Sequence, residues 1–333
     1  MDVIITTINP PNAATTSINN ALRKINGTLW VIGDTPGPHA YDLSNVNFWS
    51  IQKQRKCEFL LAKILPERHY CRKNLGYLAA IAASHPDFIL ETDDDNIPYD
   101  AFFDTRIRTL KTDVVTGRKW INIYEYFSDE KIWPRGFPLE ELNHDSSLNI
   151  RKQTVHAFIQ QALADKNPDI DAVYRLTRKL PIDFNKRDPL ALGKGVWCPF
   201  NSQATTFFRE AFPLLYLPSY CSFRMTDIWR SFVAQRCLWE MNGNVLFTEA
   251  KVWQERNEHD LMKDFTDEIP GYLQNNALTD HLCSLHLEQG LQLSVVCNNL
   301  KKCYEVLCEN GIVGQQEMQL VEAWVSDLRV LLA

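Results

Sequence analysis

The chain has 333 residues, is 45% hydrophobic and 23% charged, and carries a formal net charge of -6. This length suits one large α/β domain with an appendage or two modest domains, and the composition excludes a wholly disordered protein. The acidic balance argues against a broad nucleic-acid surface, which would require a basic face, so we expect no nucleic-acid partner.

The first hundred residues predict strands that alternate with helices. Short apolar runs at residues 2–8, 29–32, 46–49 and 88–90 are typical of strands, and an apolar stripe over residues 71–84 predicts a helix. Such alternation predicts βαβ units and an α/β fold with a mostly parallel, Rossmann-like central sheet flanked by helices. In sheets of this kind, ligands bind beyond the carboxyl ends of the strands.

The remainder of the chain is less regular. Residues 154–164 predict a helix, residues 245–247 predict a strand, and two amphipathic helices are expected around residues 296–307 and 321–328. We therefore expect a catalytic α/β domain over residues 1–275 and a C-terminal helical extension over residues 276–333. The extension would either cap the sheet or join two copies into a homodimer.

The cysteine content and the hydropathy of the sequence indicate the cellular compartment of the protein. The nine cysteines are odd in number and show no C-x-x-C spacing, which favours free thiols in a reducing cytoplasm. No window approaches the roughly 20 apolar residues of a membrane helix, and the N-terminus reads as a strand and not as a signal peptide. We expect a cytoplasmic protein that visits a membrane surface if its acceptor is membrane-bound.

The strongest motif is Asp93-Asp94-Asp95, directly after the strand at residues 88–90. Three adjacent carboxylates repel one another and require a compensating charge. In an extended segment Asp93 and Asp95 would point to one side, as ligands for Mn²⁺ or Mg²⁺, which accept carboxylates together with substrate phosphates. A solvated acidic turn is the alternative, and the apolar strand before the triplet favours the metal site.

Several other side chains should approach the triplet. Asn9 and Asp34 follow the first two strands and should converge with it. Arg72, Lys73 and Asn74 open the helix at 71–84, where free N–H groups attract an anion, although a solvent-facing first turn is an equal alternative. His259 could complete a cation's ligand set, but a lone histidine is more often structural.

Three further residues are candidates for the chemistry of transfer. Asp171, in a second D-x-D with Asp169, and Asp227, at a predicted helix start, are carboxylates that could act as a base; for Asp227 a capping role is comparably plausible. Arg135 lies in a Pro/Gly loop and could clamp a diphosphate with two parallel hydrogen bonds. G-x-G-x-x-G, Walker, G-x-S-x-G and H-E-x-x-H motifs do not occur.

Nine short segments, in this order, resemble the STELLO family of GT-A-like proteins. They resemble more distantly the reversibly glycosylated polypeptides, which include UDP-arabinopyranose mutases. The resemblance covers roughly residues 2–275 and rests on residues 6–9, 31–34, 71–77, 91–95, 133–139, 168–172, 199–203, 224–230 and 256–261.

This resemblance implies a GT-A fold, a nucleoside-diphosphate sugar donor with a UDP-sugar foremost, a divalent cation, and a glycan or lipid-linked acceptor. It implies the following roles: Thr7, Asn9 and Asp34 at the base and ribose, Arg72 and Asn74 near the nucleotide, Asp93 and Asp95 at the metal and ribose, and Asp94 in the same nucleotide site.

This chain departs from the mutases at two positions, and these differences distinguish a transferase from a mutase. The mutases have a histidine directly after the tryptophan that matches Trp253, where this chain has Gln254, so a histidine ligand would have to be His259. The mutases also modify an arginine at a place where Glu140 and Glu141 stand here. We therefore expect a transferase first, a nucleotide-sugar mutase second, and a non-catalytic scaffold for other glycosyltransferases third. Retention or inversion stays open; inversion would use Asp227 as base, with Asp171 as its competitor.

Overall fold

The computed structural model describes residues 1–143, 148–255 and 260–332, and within them one sheet of eleven strands organises the chain. The strands are β1 (Asp2–Thr7), β2 (Thr28–Gly33), β3 (Val46–Trp49), β4 (Phe88–Thr92), β5 (Asn96–Pro98), β6 (Thr109–Thr116), β7 (Asn149–His156), β8 (Ile159–Asp165), β9 (Leu190–Leu192), β10 (Ala204–Phe208) and β11 (Val245–Gln254). The helices are α1 (Ala13–Lys24), α2 (Ile51–Lys56), α3 (Lys73–Ser84), α4 (Ile123–Phe127), α5 (Ala172–Thr177), α6 (Thr226–Glu240), α7 (Leu261–Ser284), α8 (Leu293–Glu309) and α9 (Glu317–Leu331).

The sheet order is β3-β2-β1-β4-β10-β8-β11-β9-β6-β7, with β5 paired to β11. The four strands predicted from the N-terminal sequence pair in parallel, as expected. Beyond β4 the sheet is mixed, because β10 runs antiparallel to both of its neighbours and β6 and β7 form an antiparallel pair. The α/β class with helices around a central sheet is therefore confirmed, whereas a mostly parallel sheet describes only the N-terminal half.

Helices cover both faces of the parallel half. Val3 and Ile5 of β1 pack in one apolar cluster with Ile18 of α1, while Ile4 belongs to the cluster on the other face, against α3. Alternation of side chains along a strand produces this division. The contact with α3 is close: a Cβ on Gly76 would lie 2.7 Å from carbon atoms of both Ile4 and Ile32. Glycine at this position lets α3 lie directly on the sheet.

The helix predicted over residues 154–164 is wrong. This stretch forms the end of β7 and most of β8, and β8 is inserted between β10 and β11. Its Gln-Gln-Ala-Leu-Ala sequence favours a helix by intrinsic propensity. Pairing on both edges and burial on both faces outweigh that propensity, because propensity is a weak preference that tertiary context overrides.

The C-terminal helices belong to the main core. The two predicted amphipathic helices are present as α8 and α9, but the predicted boundary at residue 275 falls inside α7, which the sequence did not reveal because Pro270 and Gly271 interrupt its pattern. Leu300 of α8 and Trp324 of α9 are buried in the cluster that includes α3. The extension therefore closes the core of the α/β domain; homodimer formation stays a prediction.

Two expectations about composition can be compared with the described residues. All nine cysteines lie within the described ranges, and all nine are free, as predicted. None of the described helices is both long and apolar enough to cross a membrane.

A fully buried ion pair joins β4 to α6. Arg230 of α6 donates to the two carboxylate oxygens of Glu91 over 2.6 and 3.0 Å, and the hydroxyl of Tyr77 also donates to Glu91. Glu91 is completely buried and Arg230 nearly so. Each of these charges would be costly in the interior without its partner.

We predict that Glu91→Gln lowers the free energy of unfolding by about 3–5 kcal/mol, because it leaves Arg230 charged, buried and unpaired. Urea unfolding followed by circular dichroism measures the loss. A matched control is Asp280→Asn, which breaks an ion pair with Lys119 in which the Asp280 side chain is 70% exposed; it should cost less than about 1 kcal/mol. Equal losses in both variants would contradict the importance of the buried pair.

Candidate functional site

A cleft of about 630 Å³ opens at the carboxyl ends of β1, β2 and β4. Its volume lies in the range of pockets for small ligands and cofactors. The structure brings together here eight of the residues predicted from the sequence: Thr7, Asn9, Asp34, Asp93, Asp94, Asp95, Arg135 and Asp227. The predicted convergence of the turns after three parallel strands is therefore observed, and the roles of the individual residues stay predictions.

The aspartate triplet forms a turn between β4 and β5 and is not extended as predicted. The carbonyl of Asp93 accepts the backbone N–H of Asn96 over 3.4 Å, and the three side chains reach three different groups of partners. Asp94 faces the end of β1, where it accepts hydrogen bonds from the Thr7 hydroxyl and, over 3.1 Å, from the Asn9 amide. This contact fixes the turn to the first strand.

Asp93 faces the buried Lys73, which the sequence indicated only as part of the helix start and not as a partner of the triplet. The ammonium of Lys73 lies 2.9 Å from Asp93, 2.5 Å from the Tyr70 hydroxyl and 2.7 Å from the Thr92 carbonyl. The Tyr70 hydroxyl also donates to Asp93 over 2.5 Å. Burial raises the pKa of the Asp93 carboxyl, and Lys73 and Tyr70 act against that shift. Part of the compensating charge that the triplet requires is thus built into α3.

Asp95 retains an unpartnered oxygen. Its Oδ2 accepts from the Gln254 amide over 2.8 Å, while its buried Oδ1 has no hydrogen-bond partner among the described residues. Burial, followed by the negative charge of Asp93, raises the pKa of the Asp95 carboxyl to about 7. A buried carboxylate oxygen without a partner is costly unless a cation or a donor meets it.

The carboxylates of the triplet are better suited to a cation that is coordinated jointly by protein and substrate than to a cation that is coordinated by protein alone. In the described ranges, no group of three or more His, Cys, Asp or Glu side chains could hold a metal ion. His259, the predicted third ligand, lies outside the described residues. Mg²⁺ and Mn²⁺ are often held by one or two carboxylates together with substrate phosphates, and Asp93 and Asp95 can provide that arrangement.

Asp34 organises a loop with both of its oxygens. Oδ1 accepts the backbone N–H groups of Thr35 and Arg68 over 2.7 and 2.9 Å, and Oδ2 accepts that of His69 over 2.8 Å. Asp34 lines the cleft, but its carboxylate is occupied by backbone donors. These contacts indicate that Asp34 positions the loop on the nucleotide side of the cleft. A nucleobase would have to compete with the backbone N–H groups for its carboxylate.

Arg72 and Asn74 do not reach the cleft. Both are fully buried: Arg72 donates to the Gln54 side chain and to the Leu65 carbonyl, and Asn74 exchanges two hydrogen bonds with the backbone of Leu217. The prediction of nucleotide contacts is wrong for both residues. The N-terminus of α3 is buried against the preceding loop and is not exposed to solvent. Its first polar side chains therefore form hydrogen bonds in the protein interior.

Arg135 joins two carboxylates at the far side of the cleft. Its guanidinium donates to both oxygens of Asp169 over 2.8 and 2.9 Å and to Asp227 over 3.0 and 3.1 Å. Burial of Asp169 would raise its pKa, but Arg135 outweighs this effect and holds the pKa below its usual range. Because its guanidinium is already engaged, Arg135 is poorly suited to clamp a diphosphate as predicted, and it orients Asp227 instead.

Asp227 and Asp171, the two candidate bases, differ in position. Asp227 lines the cleft, makes no side-chain cap of α6, and accepts from the backbone and hydroxyl of Ser202, each over 3.3 Å. Asp171 is fully buried away from the cleft, where it caps α5 through the Tyr174 N–H and accepts the Trp133 indole N–H, both over 2.7 Å. The structure therefore excludes Asp171 as a residue in contact with an acceptor and leaves Asp227.

Comparisons with known proteins find sequence similarity to one family of glycosyltransferases. Residues 224–332 match the family model described as STELLO glycosyltransferases. The chain is 28% identical to the "Probable glycosyltransferase STELLO1" and "STELLO2" of Arabidopsis thaliana, over 92% of its own length and 42% of theirs. These matches confirm the predicted resemblance to the STELLO family. The chain spans less than half the length of these relatives.

Likeness to solved structures is slight. A mycobacterial protein aligns with a TM-score of 0.41 and 12% identity, over 82% of this chain and 74% of that one. Residues 1–349 of S. aureus TarS align with a TM-score of 0.30 and 10% identity, over 99% of this chain and 90% of that one.

We predict a pH-dependent effect of Asp171→Asn on stability. Burial raises the pKa of Asp171 from 3.8 to about 6, so the folded state holds this proton more tightly than the unfolded state, and wild-type stability is lost as the pH rises from about 4 through 6. Asparagine cannot ionise. Between pH 4 and 7.5, urea unfolding should therefore show the variant gaining up to about 3 kcal/mol relative to wild type. A difference that is independent of pH would contradict this assignment.

Proposed function

We propose that this protein transfers a sugar from a nucleoside-diphosphate sugar to a glycan or lipid-linked acceptor, with the help of Mn²⁺ or Mg²⁺, on a GT-A scaffold. The observation that carries the proposal is the unpartnered buried Oδ1 of Asp95 inside a cleft at the ends of parallel strands. A UDP-sugar is the first donor to test. The similarity to the STELLO glycosyltransferases supports the reaction class, and the chemistry of the cleft supports the donor class.

The donor side of the cleft offers polar and aromatic groups. Thr7 and Asn9 at the end of β1 lie beside Asp94, and the loop held by Asp34 forms the adjacent wall. Phe223, which is 54% exposed, contacts the rings of His69 and Tyr70 edge to face. An exposed aromatic face in a cleft is a surface on which a nucleobase can stack.

Asp93 and Asp95 are the residues that would hold the cation. A divalent cation bound there would neutralise the charge that develops on the departing nucleoside diphosphate. The amide of Gln254 donates to Asp95. In the mutases that this chain resembles, a histidine stands at the position of Gln254, so the difference falls on a residue that contacts the proposed cation site. This observation favours a transferase over a mutase.

Asp227 is suited to accept the proton of an acceptor hydroxyl in an inverting reaction. It lies in the same cleft as the triplet but on α6, and Arg135 and Ser202 fix the orientation of its carboxylate. Asp93, Asp94 and Asp95 lie on the proposed donor side, and Arg135 binds both oxygens of Asp169, so we assign the acceptor side to Asp227.

A second candidate is a protein that binds a nucleotide sugar without turning it over. The pairing of Asp93 with Lys73 and of Asp94 with Thr7 favours it, because a cluster that is compensated internally needs less from a metal. Incubation with UDP-, GDP- and CMP-sugars plus Mn²⁺ separates a transferase, a mutase and a non-catalytic scaffold. Transfer or hydrolysis identifies the transferase, ring isomerisation the mutase, and binding without turnover the scaffold.

We predict that Asp95→Ala reduces turnover by roughly 10²–10³-fold and abolishes the dependence of UDP affinity on Mn²⁺. Loss of a buried oxygen that has no protein partner should leave the melting curve nearly unchanged. Calorimetric titration of UDP with Mn²⁺ and with chelator measures the binding. Asp100→Asn, an exposed aspartate outside the cleft, is the matched control and should behave as wild type. Wild-type affinity for UDP that is equal with and without Mn²⁺ would rule out the shared cation.

We predict a contrasting outcome for the two candidate bases. Asp227→Asn should keep the shape of the side chain and one of its two acceptor oxygens, bind the donor normally, and lose transfer by at least about 10²-fold. Asp171→Asn should transfer at the wild-type rate at pH 7, since its side chain is buried outside the cleft. Single-turnover assays at saturating donor measure both. Normal transfer by Asp227→Asn would point to a retaining mechanism that needs no such base.

A further inference from the structure

The wall of the cleft at residues 67–70 carries an unusual backbone conformation. Arg68 has a φ of +58°, in the left-handed region. Glycine and asparagine adopt this region readily, whereas a long side chain does so at a cost. Such conformations occur where the surrounding structure enforces them, and they cluster at ligand-binding positions. Because the backbone at this position favours glycine, the presence of arginine suggests a role for its side chain.

The surroundings of Arg68 hold this conformation from both ends. Asp34 accepts the backbone N–H groups of Arg68 and His69 over 2.9 and 2.8 Å. Two residues after Arg68, the Tyr70 hydroxyl donates to Asp93 over 2.5 Å. Two residues of chain span at most about 7 Å, so the Cα of Arg68 lies within that distance of the Cα of Tyr70. An extended arginine side chain from there can reach a group bound beside Asp93.

The charges of the cleft leave Arg68 available for an anion. Four arginines line the described part of the cleft. Arg135 is buried between Asp169 and Asp227, Arg224 donates to Glu268 over 2.8 and 3.0 Å, and Arg175 donates to the Pro168 carbonyl over 2.8 Å. Arg68 is exposed, and its guanidinium makes no hydrogen bond or ion pair with any other described residue.

A diphosphate that enters this cleft meets the aspartate triplet and requires positive charge beyond one cation. Lys73 is enclosed by Asp93, Tyr70 and the Thr92 carbonyl, so its ammonium is already committed. A guanidinium matches two phosphate oxygens with parallel N–H donors, and it keeps its charge at any physiological pH.

We propose that the loop at residues 68–69 is the phosphate-binding wall of the cleft, with the Arg68 guanidinium on the diphosphate and Asp34 as the positioning residue that holds its backbone. This inference rests on the proposed function for the identity of the donor. It replaces Arg135 as the diphosphate ligand and gives Asp34 a defined role. It also specifies the ligand class, since a site of this kind selects nucleoside diphosphates over nucleosides.

Arg68→Gly tests the proposal, because glycine removes the guanidinium and adopts the left-handed backbone without strain. Wild type and variant are titrated calorimetrically with uridine, UDP and inorganic pyrophosphate, in the presence of Mn²⁺ and in the presence of chelator. We expect the affinities for UDP and pyrophosphate to fall on the order of 10- to 100-fold, with no change for uridine and a melting temperature that is unchanged or higher. Arg68→Lys should recover part of the loss.

Lys166→Gly is the matched control. Lys166 also combines a positive charge with a positive φ, of +67°, and it lies over the Trp253 ring outside the cleft lining. Its replacement should leave the affinity for UDP unchanged.

The outcomes separate the two proposals. Equal affinity of wild type and Arg68→Gly for UDP, or an equal loss for uridine and UDP, would overturn the role of Arg68. Loss of pyrophosphate binding in Arg68→Gly, in a protein that binds no uridine, guanosine or cytidine diphosphate, would support the phosphate-binding wall and overturn the proposed function. A wild-type protein that binds neither pyrophosphate nor any nucleotide would overturn both.

Discussion

The buried pair of Glu91 and Arg230 is the constraint on which the geometry of the cleft depends. Glu91 lies two residues before Asp93, and Arg230 lies one helical turn after Asp227. Their two hydrogen bonds therefore join the strand that ends in the triplet to the helix that carries the opposite carboxylate. Since both side chains are excluded from water, any displacement of α6 from β4 would separate two buried charges. The spacing between the donor side and the acceptor side is fixed in this way.

Buried cations also explain how so many carboxylates share one cleft. Lys73 lies against Asp93, and Arg135 lies between Asp169 and Asp227. Each of these cations is supplied from the interior, so the acidic groups are held in place before a ligand binds. Asp94 and Asp95 instead accept hydrogen bonds from neutral groups, namely Thr7 and Asn9 for Asp94 and Gln254 for Asp95. The buried Oδ1 of Asp95 has no partner among the described residues, so a cation would have its greatest effect at this oxygen.

The sequence was informative where one local pattern determines structure. Apolar β-branched runs predicted β1, β2 and β4, and the parallel arrangement of these strands predicted that Asn9, Asp34 and the triplet converge. It was uninformative where the outcome depends on distant partners. Gln160 and Gln161 favour a helix locally and become a strand because β10 and β11 flank them. The polar start of α3 indicated an anion site, but the side chains of Arg72 and Asn74 turn inward to Gln54 and Leu217, which no spacing rule could reveal.

The C-terminal helices show why a boundary at residue 275 has no structural basis. Asp327 of α9 accepts the backbone N–H groups of Leu60 and Leu61, each over 2.9 Å, at the start of the segment that leads to Arg68. Glu317 at the beginning of α9 accepts those of Ser219 and Tyr220, just before the loop that carries the exposed Phe223. Buried carboxylates of α9 therefore anchor two segments that lead to residues of the cleft. Because buried backbone donors need acceptors, removal of α9 would release both segments, so α9 contributes to the architecture of the site.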